Sequence, residues 1–360
     1  MSRFLFYMGH PAHYHNFKNV SARLREEGHQ VLFVARGKDV LFDLLEGEPT
    51  ETVRLQARKP SGKIGLAANL ARRELKLLQI ARKWKPDLMA GTDPGITHVG
   101  KLLGIPAVVV NEDDSAAVPM MAKTAFPFAT TILAPQCCDQ SPYNHKKTAY
   151  RGYQELTYLH PDVFTPDRSL LPAAMRDAET YFILRFASLH AHHDEGRKGI
   201  DDDLAKQLIE ILLPHGKVFI TSERTLQADL EPHRLPIHPK FIHHALAYAR
   251  LTIGDSQTMT AESAVLGVHA VRFNDFVGEL SYLEELEHEF GLTTGVRTNR
   301  PDQLLDTVKN LVRDEGLGAK MQSRRREMLA ASDPVLDVWV DTFKRLAPRN
   351  HAIADTHREM

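Results

Sequence analysis

The chain has 360 residues, 43% of them hydrophobic and 25% charged, and a formal net charge of −1. This length exceeds what one hydrophobic core usually organises, so we expect two domains. The balanced charge argues against a general nucleic-acid binder, which carries a basic excess.

Other bulk features narrow the class further. No apolar run approaches the roughly 18 residues of a membrane-spanning helix, and the start MSRFLFYMGHPAH lacks the long apolar core and cleavage site of a signal peptide. The two cysteines, Cys137 and Cys138, are adjacent, which suits neither a disulfide framework nor a metal-binding pair. We therefore expect reduced thiols and a cytoplasmic protein.

The first half of the chain alternates strand and helix signals. Apolar runs at 3–8, 30–35, 87–90 and 106–111 predict strands buried on both faces. Amphipathic segments between them predict helices over 13–27, 38–47, 63–84 and 97–104. This alternation favours a parallel sheet with helices on both sides.

A second alternating run begins at Tyr181, after the proline-bearing segment 155–178, which is the best linker candidate. Strands are predicted at 181–187, 217–221, 249–254 and 269–273, and helices at 201–213, 257–266, 280–289, 301–313, 317–331 and 335–347. We thus predict an α/β protein with two Rossmann-like domains, 1–165 and 166–334, whose parallel sheets face a central cleft. Residues 335–348 form a helix that could return to the first domain, and 349–360 a frayed tail.

One stretch of the first domain is strongly basic. From Arg54 to Lys85 there are ten Lys or Arg residues and a single acidic residue, Glu74. Two interpretations stay open: a solvated helix face, or a surface that contacts anionic lipid or an anionic acceptor at the inner face of a membrane.

The segment GDSQTMTAESAVLG, residues 254–267, is the most informative motif. It follows a strand and opens a helix, with Ser256 placed to cap that helix and Gly267 to close it. Free N–H groups at such a helix start bind phosphate. Glu262 lies one turn beyond Thr258, where its carboxylate can accept hydrogen bonds from a ribose diol. Capped strand–helix junctions also occur for purely structural reasons. The chain contains neither a P-loop nor a GxGxxG dinucleotide fingerprint.

This motif resembles the donor-binding segment of GT-B enzymes, which include many glycosyltransferases and the non-hydrolysing UDP-N-acetylglucosamine 2-epimerases. Further segments extend the resemblance to the family known as domain of unknown function 354, which is similar to GT-B glycosyltransferases. They are GHPAHYHNFKN, EEGHQVLFVAR, GTDPGITHVGKLLGIPAVVVNEDD, YRGYQELTYLHPDVFTPD and ILRFASLHAHHDEG.

The resemblance implies roles for residues of the second domain. Ser256, Gln257 and Thr258, which follow Asp255, would hold the donor diphosphate, and Glu262 the ribose. Arg185 would lie near the phosphates, although a structural ion pair is the alternative. Two residues after a strand, Ser222 and Glu223, would line the same cleft.

The resemblance also implies roles in the first domain. Gly9 would leave room for substrate, and His13 matches a histidine that faces the acceptor in the peptidoglycan N-acetylglucosaminyltransferase, so it is the candidate general base. His10 would line the cleft, and a structural role fits His10 and His15 equally well. Asp93 and Glu112 follow strands, as catalytic carboxylates do in the epimerases.

The segment HAHHDEG raises the question of a metal. It places His190, His192, His193 and Asp194 on a loop that would face the cleft, and these are metal-ligand types. Because GT-B enzymes generally stabilise the leaving diphosphate with amides and side chains, we expect neither a metal nor another cofactor.

Three functions follow from these residues. The first is a glycosyltransferase that moves a sugar from a nucleotide-diphospho-sugar, UDP-linked, to a hydroxyl of a glycan or lipid-linked acceptor. The second is a 2-epimerase-like isomerase, although the segment PMMAKTAFPF (119–128) lacks the glutamate pair that the epimerases carry there. The third is a non-catalytic binder of sugar nucleotides.

Overall fold

A computed structural model describes residues 1–37, 39–56, 62–187 and 199–347. Within this part of the chain the fold consists of two parallel sheets, each covered by helices. The predicted α/β class with two Rossmann-like domains is confirmed.

The first domain contains a seven-stranded sheet in the order β3-β2-β1-β4-β5-β6-β7. Every neighbouring pair is parallel. The strands are β1 (Arg3–Met8), β2 (Gln30–Gly37), β3 (Glu51–Gln56), β4 (Leu88–Gly91), β5 (Ala107–Val110), β6 (Thr131–Pro135) and β7 (Lys147–Tyr150). Its helices are α1 (Pro11–Glu26), α2 (Asp39–Leu44), α3 (Gly62–Trp84), α4 (Pro94–Leu103) and α5 (Pro119–Thr124), and the segment that follows β7 contains α6 (Leu156–Leu159) and α7 (Ala173–Arg176).

The second sheet has five parallel strands in the order β12-β11-β10-β8-β9. They are β8 (Tyr181–Phe186), β9 (Lys217–Ser222), β10 (Leu251–Gly254), β11 (Ala270–Phe273) and β12 (Thr293–Val296). The helices are α8 (Asp202–Leu212), α9 (Ile242–Ala247), α10 (Gln257–Val265), α11 (Ser281–His288), α12 (Pro301–Arg313), α13 (Leu317–Ala331) and α14 (Val335–Leu346).

Four strands escape sequence prediction, namely β3, β6, β7 and β12. Three of them lie at sheet edges, where one side faces solvent and a continuous apolar run is not required. The fourth, β6, is buried along its whole length but carries only two large apolar residues, Ile132 and Leu133.

The two domains share one hydrophobic core. A single cluster of buried residues extends from Phe6 and Phe17 in the first domain to Leu283 and Met328 in the second. Helix α14 packs against α1, with the Phe343 ring 5.5 Å from Phe6 and the Trp339 ring 6.1 Å from Phe17. The chain therefore crosses back to the first domain at its end.

The segment 155–178 is a packed connection between the domains. All four residues of α6, Leu156–Leu159, are buried, and α6 contacts α1, α10 and α14. Its side chains consequently reach both domains. None of the helices among the described residues is both long and apolar enough to cross a membrane.

Candidate functional site

Each sheet has one point where the strand order reverses, and several of the predicted site residues lie at these points. In the first sheet the reversal lies between β1 and β4, and in the second between β8 and β10. Ligands of doubly wound sheets bind at the carboxyl ends of strands beside this reversal. Gly9 and Thr92 follow β1 and β4, whereas Arg185 and Asp255 lie at the ends of β8 and β10.

His13 lies at the reversal of the first sheet. Its Nδ1 accepts a hydrogen bond from the Gly9 N–H at 3.1 Å, and Thr92 Oγ1 lies 3.0 Å from its Nε2. Burial, then the charges of His10 and Arg36, lower the pKa of His13 to about 3. The imidazole is therefore neutral at physiological pH and retains a lone pair for accepting a proton.

The neighbouring histidines have other surroundings. His10 is exposed and caps α1, accepting from the Ala12 N–H at 3.2 Å. His15 is 5% exposed and packs against the rings of Tyr158 and His243. The three histidines of the motif thus occupy three different environments.

Asp93 is engaged twice in this structure. One oxygen accepts from the Gly95 N–H at 2.9 Å and caps α4, and the other pairs with Arg73 at 2.6 Å. Arg73 belongs to the basic stretch, so at least one cation of that stretch faces inward. The Asp93 carboxylate is thereby held in place by partners of its own domain.

Sequence reasoning missed Arg36, at the end of β2. Its Nη2 lies 3.8 Å from the position that a Cβ on Gly9 would occupy. Arg36 is the last residue of the segment EEGHQVLFVAR. Its position directly after an apolar strand was the sequence feature that could have identified it as a candidate site residue.

The start of α10 carries the predicted donor segment. Ser256 caps the helix by accepting from the Met259 N–H at 3.4 Å, and Gly267, with φ +76°, follows its last turn. The expected caps are therefore confirmed. Ser256, Gln257 and Thr258 are half-buried, and the first turn contains no acidic side chain.

Asp255, directly before this turn, is held by backbone hydrogen bonds from two other segments of the second domain. Its Oδ1 accepts from the Ala187 N–H at 2.6 Å and its Oδ2 from the Ile200 N–H at 3.3 Å. Burial raises the pKa of Asp255 to about 6, and these two N–H groups oppose the rise. Because its oxygens already accept from the backbone, Asp255 positions the segment around it.

Arg185 forms the ion pair that the sequence left as an alternative. Its guanidinium donates to Glu223 and, at 3.2 Å, to Thr221 Oγ1. Ser222 Oγ bonds to the backbone of Arg224. A phosphate at this position would therefore compete with Glu223 for Arg185.

Glu262 is buried at the contact between the domains. Its Oε1 accepts from the Tyr158 hydroxyl at 3.0 Å and lies 2.8 Å from His243 Nε2, and its side chain is 5% exposed. The structure thus gives this carboxylate protein partners at the place where a ribose diol was expected.

Two further buried carboxyl groups interact electrostatically with each other and with Glu262. They belong to Glu112 and to Glu155, a residue that sequence reasoning did not select. Glu155 is 0% exposed, and Oε2 of Glu112 is also buried. Burial raises the pKa of both groups, that of Glu155 to about 8, so the pair retains a proton near neutral pH.

His190, His192, His193 and Asp194 lie outside the described residues, as does the tail 349–360. Within the described ranges no group of three or more metal-ligating side chains converges.

No family model matches the sequence, and no curated protein matches it. Solved structures match over almost the whole chain. The glycotransferase of kitacinnamycin superposes with a TM-score of 0.61 at 13% identity, covering 96% of this chain and 99% of that one. The spinosyn rhamnosyltransferase complexed with thymidine diphosphate gives 0.60 at 16% identity, over 95% and 100%. A putative UDP-N-acetylglucosamine 2-epimerase from Listeria monocytogenes gives 0.68 at 14% identity, over 95% and 94%.

The chain has the GT-B fold. At these identities the likeness concerns architecture, and activity has to be argued from the site. In GT-B terms, His13, Thr92 and Arg36 lie on the first-domain side of the cleft, and Arg185 and the start of α10 on the second-domain side.

Proposed function

We propose that this protein is a glycosyltransferase that moves a sugar from a nucleotide-diphospho-sugar, UDP-linked, to an acceptor hydroxyl in glycan or glycolipid biosynthesis. The observation that carries the proposal is the start of α10 at the strand-order reversal of the second sheet. Its half-buried first turn contains no acidic side chain, so its N–H groups and helix dipole favour an anion.

The donor diphosphate would bind at this turn. Ser256 and Thr258 supply hydroxyl groups, and Arg185 supplies a cation once the phosphate displaces Glu223. These groups stabilise charge on the departing diphosphate, which is the largest expected contribution to catalysis. The ribose would bind near Glu262 only if Tyr158 or His243 yields its hydrogen bond.

The acceptor hydroxyl would bind beside His13. In the observed geometry Nδ1 accepts from the Gly9 N–H, so an acceptor that displaces this contact meets the free lone pair. The hydroxyl proton then passes to His13 while the acceptor oxygen bonds to the anomeric carbon. Asp93 and Glu112 are weaker candidates for the base, because Asp93 pairs with Arg73 and burial, which raises the pKa of Glu112, disfavours its carboxylate form.

Calorimetry with UDP and thymidine diphosphate tests the donor site. We expect the wild type to bind at least one of them and Arg185→Gln to bind about tenfold more weakly, since a charge-assisted hydrogen bond contributes about 1.5–3 kcal/mol. The matched control is Arg82→Gln, an exposed position on α3. If neither nucleotide nor any UDP-sugar binds, the proposal is wrong.

Turnover is tested by incubating the protein with UDP-sugars and candidate acceptors and measuring UDP release. Release that depends on the acceptor supports transfer. Binding without any turnover would instead favour the non-catalytic alternative.

The Glu112–Glu155 pair favours a 2-epimerase-like isomerase as the second candidate. Such an enzyme removes a proton from a sugar carbon and returns it, and two carboxyls that retain one proton near neutral pH suit that task. Solvent deuterium would then enter the sugar at C2 of UDP-N-acetylglucosamine without an acceptor. Glu155→Gln should abolish this exchange, whereas it leaves the His13 base of a transferase in place.

Several expectations stay predictions. They are membership of the family known as domain of unknown function 354, a cytoplasmic location, the absence of a metal or other cofactor, and contact of the basic stretch 54–85 with anionic lipid.

A further inference from the structure

Arg36 occupies a defined place at the carboxyl edge of the first sheet. It ends the buried run of β2, and Val34, two residues earlier, pairs in register with Tyr7 of β1. Side chains two residues apart on a strand share a face, so Arg36 lies on the face of the sheet that contains Tyr7. Its guanidinium reaches the Gly9 loop, as the 3.8 Å distance shows.

No carboxylate whose side chain the structure describes pairs with this guanidinium. Asp93, which follows β4, the neighbouring strand to β1, is already bound by Arg73 and by the α4 N-terminus. The Tyr7 hydroxyl is buried without a hydrogen-bond partner among the described residues. Arginine is strongly suited to bidentate binding of phosphate or carboxylate. A half-buried Arg36 beside the base, with no carboxylate partner among the described side chains, therefore indicates a ligand anion.

Two other charged or titratable groups near Arg36, at the carboxyl edge of the first sheet, also provide no counterion for its positive charge. His10 and Arg36 both disfavour a proton on His13, and Asp93 is compensated by Arg73. A neutral acceptor would leave the Arg36 charge unmatched in a site from which substrate excludes water. An anionic acceptor would match it.

We propose that the acceptor is anionic, with a phosphate or carboxylate close to the hydroxyl that it offers to His13, and that Arg36 binds this anion. The inference rests on the proposed function and names the substrate class of the same site.

Binding of the anion would also prepare the base. The Arg36 charge lowers the proton affinity of His13, and a bound anion compensates that charge and attracts an imidazolium. In the transfer step the hydroxyl proton moves to His13, and the oxygen electron pair forms the bond to the anomeric carbon. The bond from that carbon to the diphosphate oxygen breaks, and its electron pair leaves with the diphosphate.

The experiment uses sn-glycerol 3-phosphate, glycerate and glycerol as minimal acceptors, titrated into the full chain saturated with UDP so that the diphosphate site is occupied. NMR of histidine-labelled protein reports both the dissociation constant and the pKa of His13. We expect the two anions to bind and glycerol to bind at least tenfold more weakly. Preference for glycerol 3-phosphate over glycerate assigns a phosphate acceptor, and the reverse preference assigns a carboxylate.

Three variants make the test specific. Arg36→Gln should weaken anion binding about tenfold or more and abolish the rise in the His13 pKa, whereas Arg36→Lys should retain part of both effects. Arg326→Gln, exposed on α13, should behave as wild type. Equal binding of the anions by wild type and Arg36→Gln, or equal binding of glycerol and glycerol 3-phosphate, overturns the proposal.

The failure of this inference differs from failure of the proposed function. If neither UDP, thymidine diphosphate nor any UDP-sugar binds, the donor site is wrong. The Arg36 comparison is then made without nucleotide in the Arg185→Gln background, where the second phosphate-binding group is removed. If UDP binds but Arg36→Gln leaves anion binding unchanged, the transferase proposal stands and the anionic acceptor is wrong.

Discussion

At neutral pH the His13 imidazole is uncharged, because burial, His10 and Arg36 lower its pKa to about 3. The neutral His13 needs no deprotonation before it can accept a proton. Its low pKa makes it a weak base until a bound substrate changes its surroundings and raises that pKa.

Two results are therefore expected for His13. Its replacement by alanine should lower kcat by about 10²–10⁴ with little change in donor affinity. In the wild type, the acid limb of kcat/KM, which reports the free enzyme, should lie well below pH 6. Steady-state kinetics between pH 4 and 9 measure both, with the exposed His145→Ala as control. An acid limb near pH 6.5 would contradict the low pKa.

Glu112 and Glu155 make stability depend on pH. Because the pKa of Glu155 is raised to about 8 in the folded chain, the folded state holds its proton where the unfolded state has released it. The free energy of unfolding should therefore fall as pH rises from about 4.5 to about 8.

Replacing Glu155 by Gln removes this titration. We expect the loss of stability between pH 5 and pH 8 to be smaller in Glu155→Gln than in wild type by more than about 1 kcal/mol. Urea unfolding at both pH values measures it, with the exposed Glu51→Gln as control. Parallel pH dependence in wild type and Glu155→Gln would show that Glu155 ionises normally.

At the scale of elements, helix α11 is capped by a residue from the other domain. Leu280, at its N-cap, provides no side-chain hydrogen bond. Asp114, from the loop after β5, accepts from the Ser281 N–H at 2.7 Å and from Ser281 Oγ at 2.9 Å. This carboxylate therefore stabilises the helix start and joins the two domains.

Asp114→Ala should lower the free energy of unfolding by about 1–3 kcal/mol, since buried donors lose their acceptor. Hydrogen exchange at the Ser281 and Tyr282 amides should accelerate. The control is Asp306→Ala, whose side chain is 71% exposed and pairs only with Lys309 among the described residues. Unchanged exchange at α11 would show that the cap is dispensable.

For the whole molecule, the shared core predicts one cooperative unit. Phe343 is 0% exposed in α14 and packs on Phe6 and Trp339. Because α14 follows the second domain but packs on the first, neither domain can lose its structure without exposing apolar surface of the other.

Phe343→Ala should cost about 3–5 kcal/mol and shift a single unfolding transition to lower temperature. Differential scanning calorimetry measures the shift and the ratio of calorimetric to van't Hoff enthalpy, which should stay near one. Two separate transitions, with only one of them shifted, would show that the domains unfold independently.

Periodicity determined much of the fold. The central strands were predictable because they are buried on both faces and continuously apolar, and helices such as α12 and α13 were predictable to within a residue. Both ends of α10 were predictable, because Ser256 at its start and Gly267 after its last turn act locally, within one turn of the positions they cap.

Contacts between residues distant in sequence were decided only by the tertiary structure. Glu155 lies 43 residues from Glu112, and Tyr158 lies 104 residues from Glu262, and no local pattern relates such pairs. The same holds for Arg36, whose significance depends on Arg73 having taken Asp93. Sequence patterns determined which residues lie at strand ends, because side-chain alternation and capping are local. Which charges are matched there depends on the packing of the whole chain.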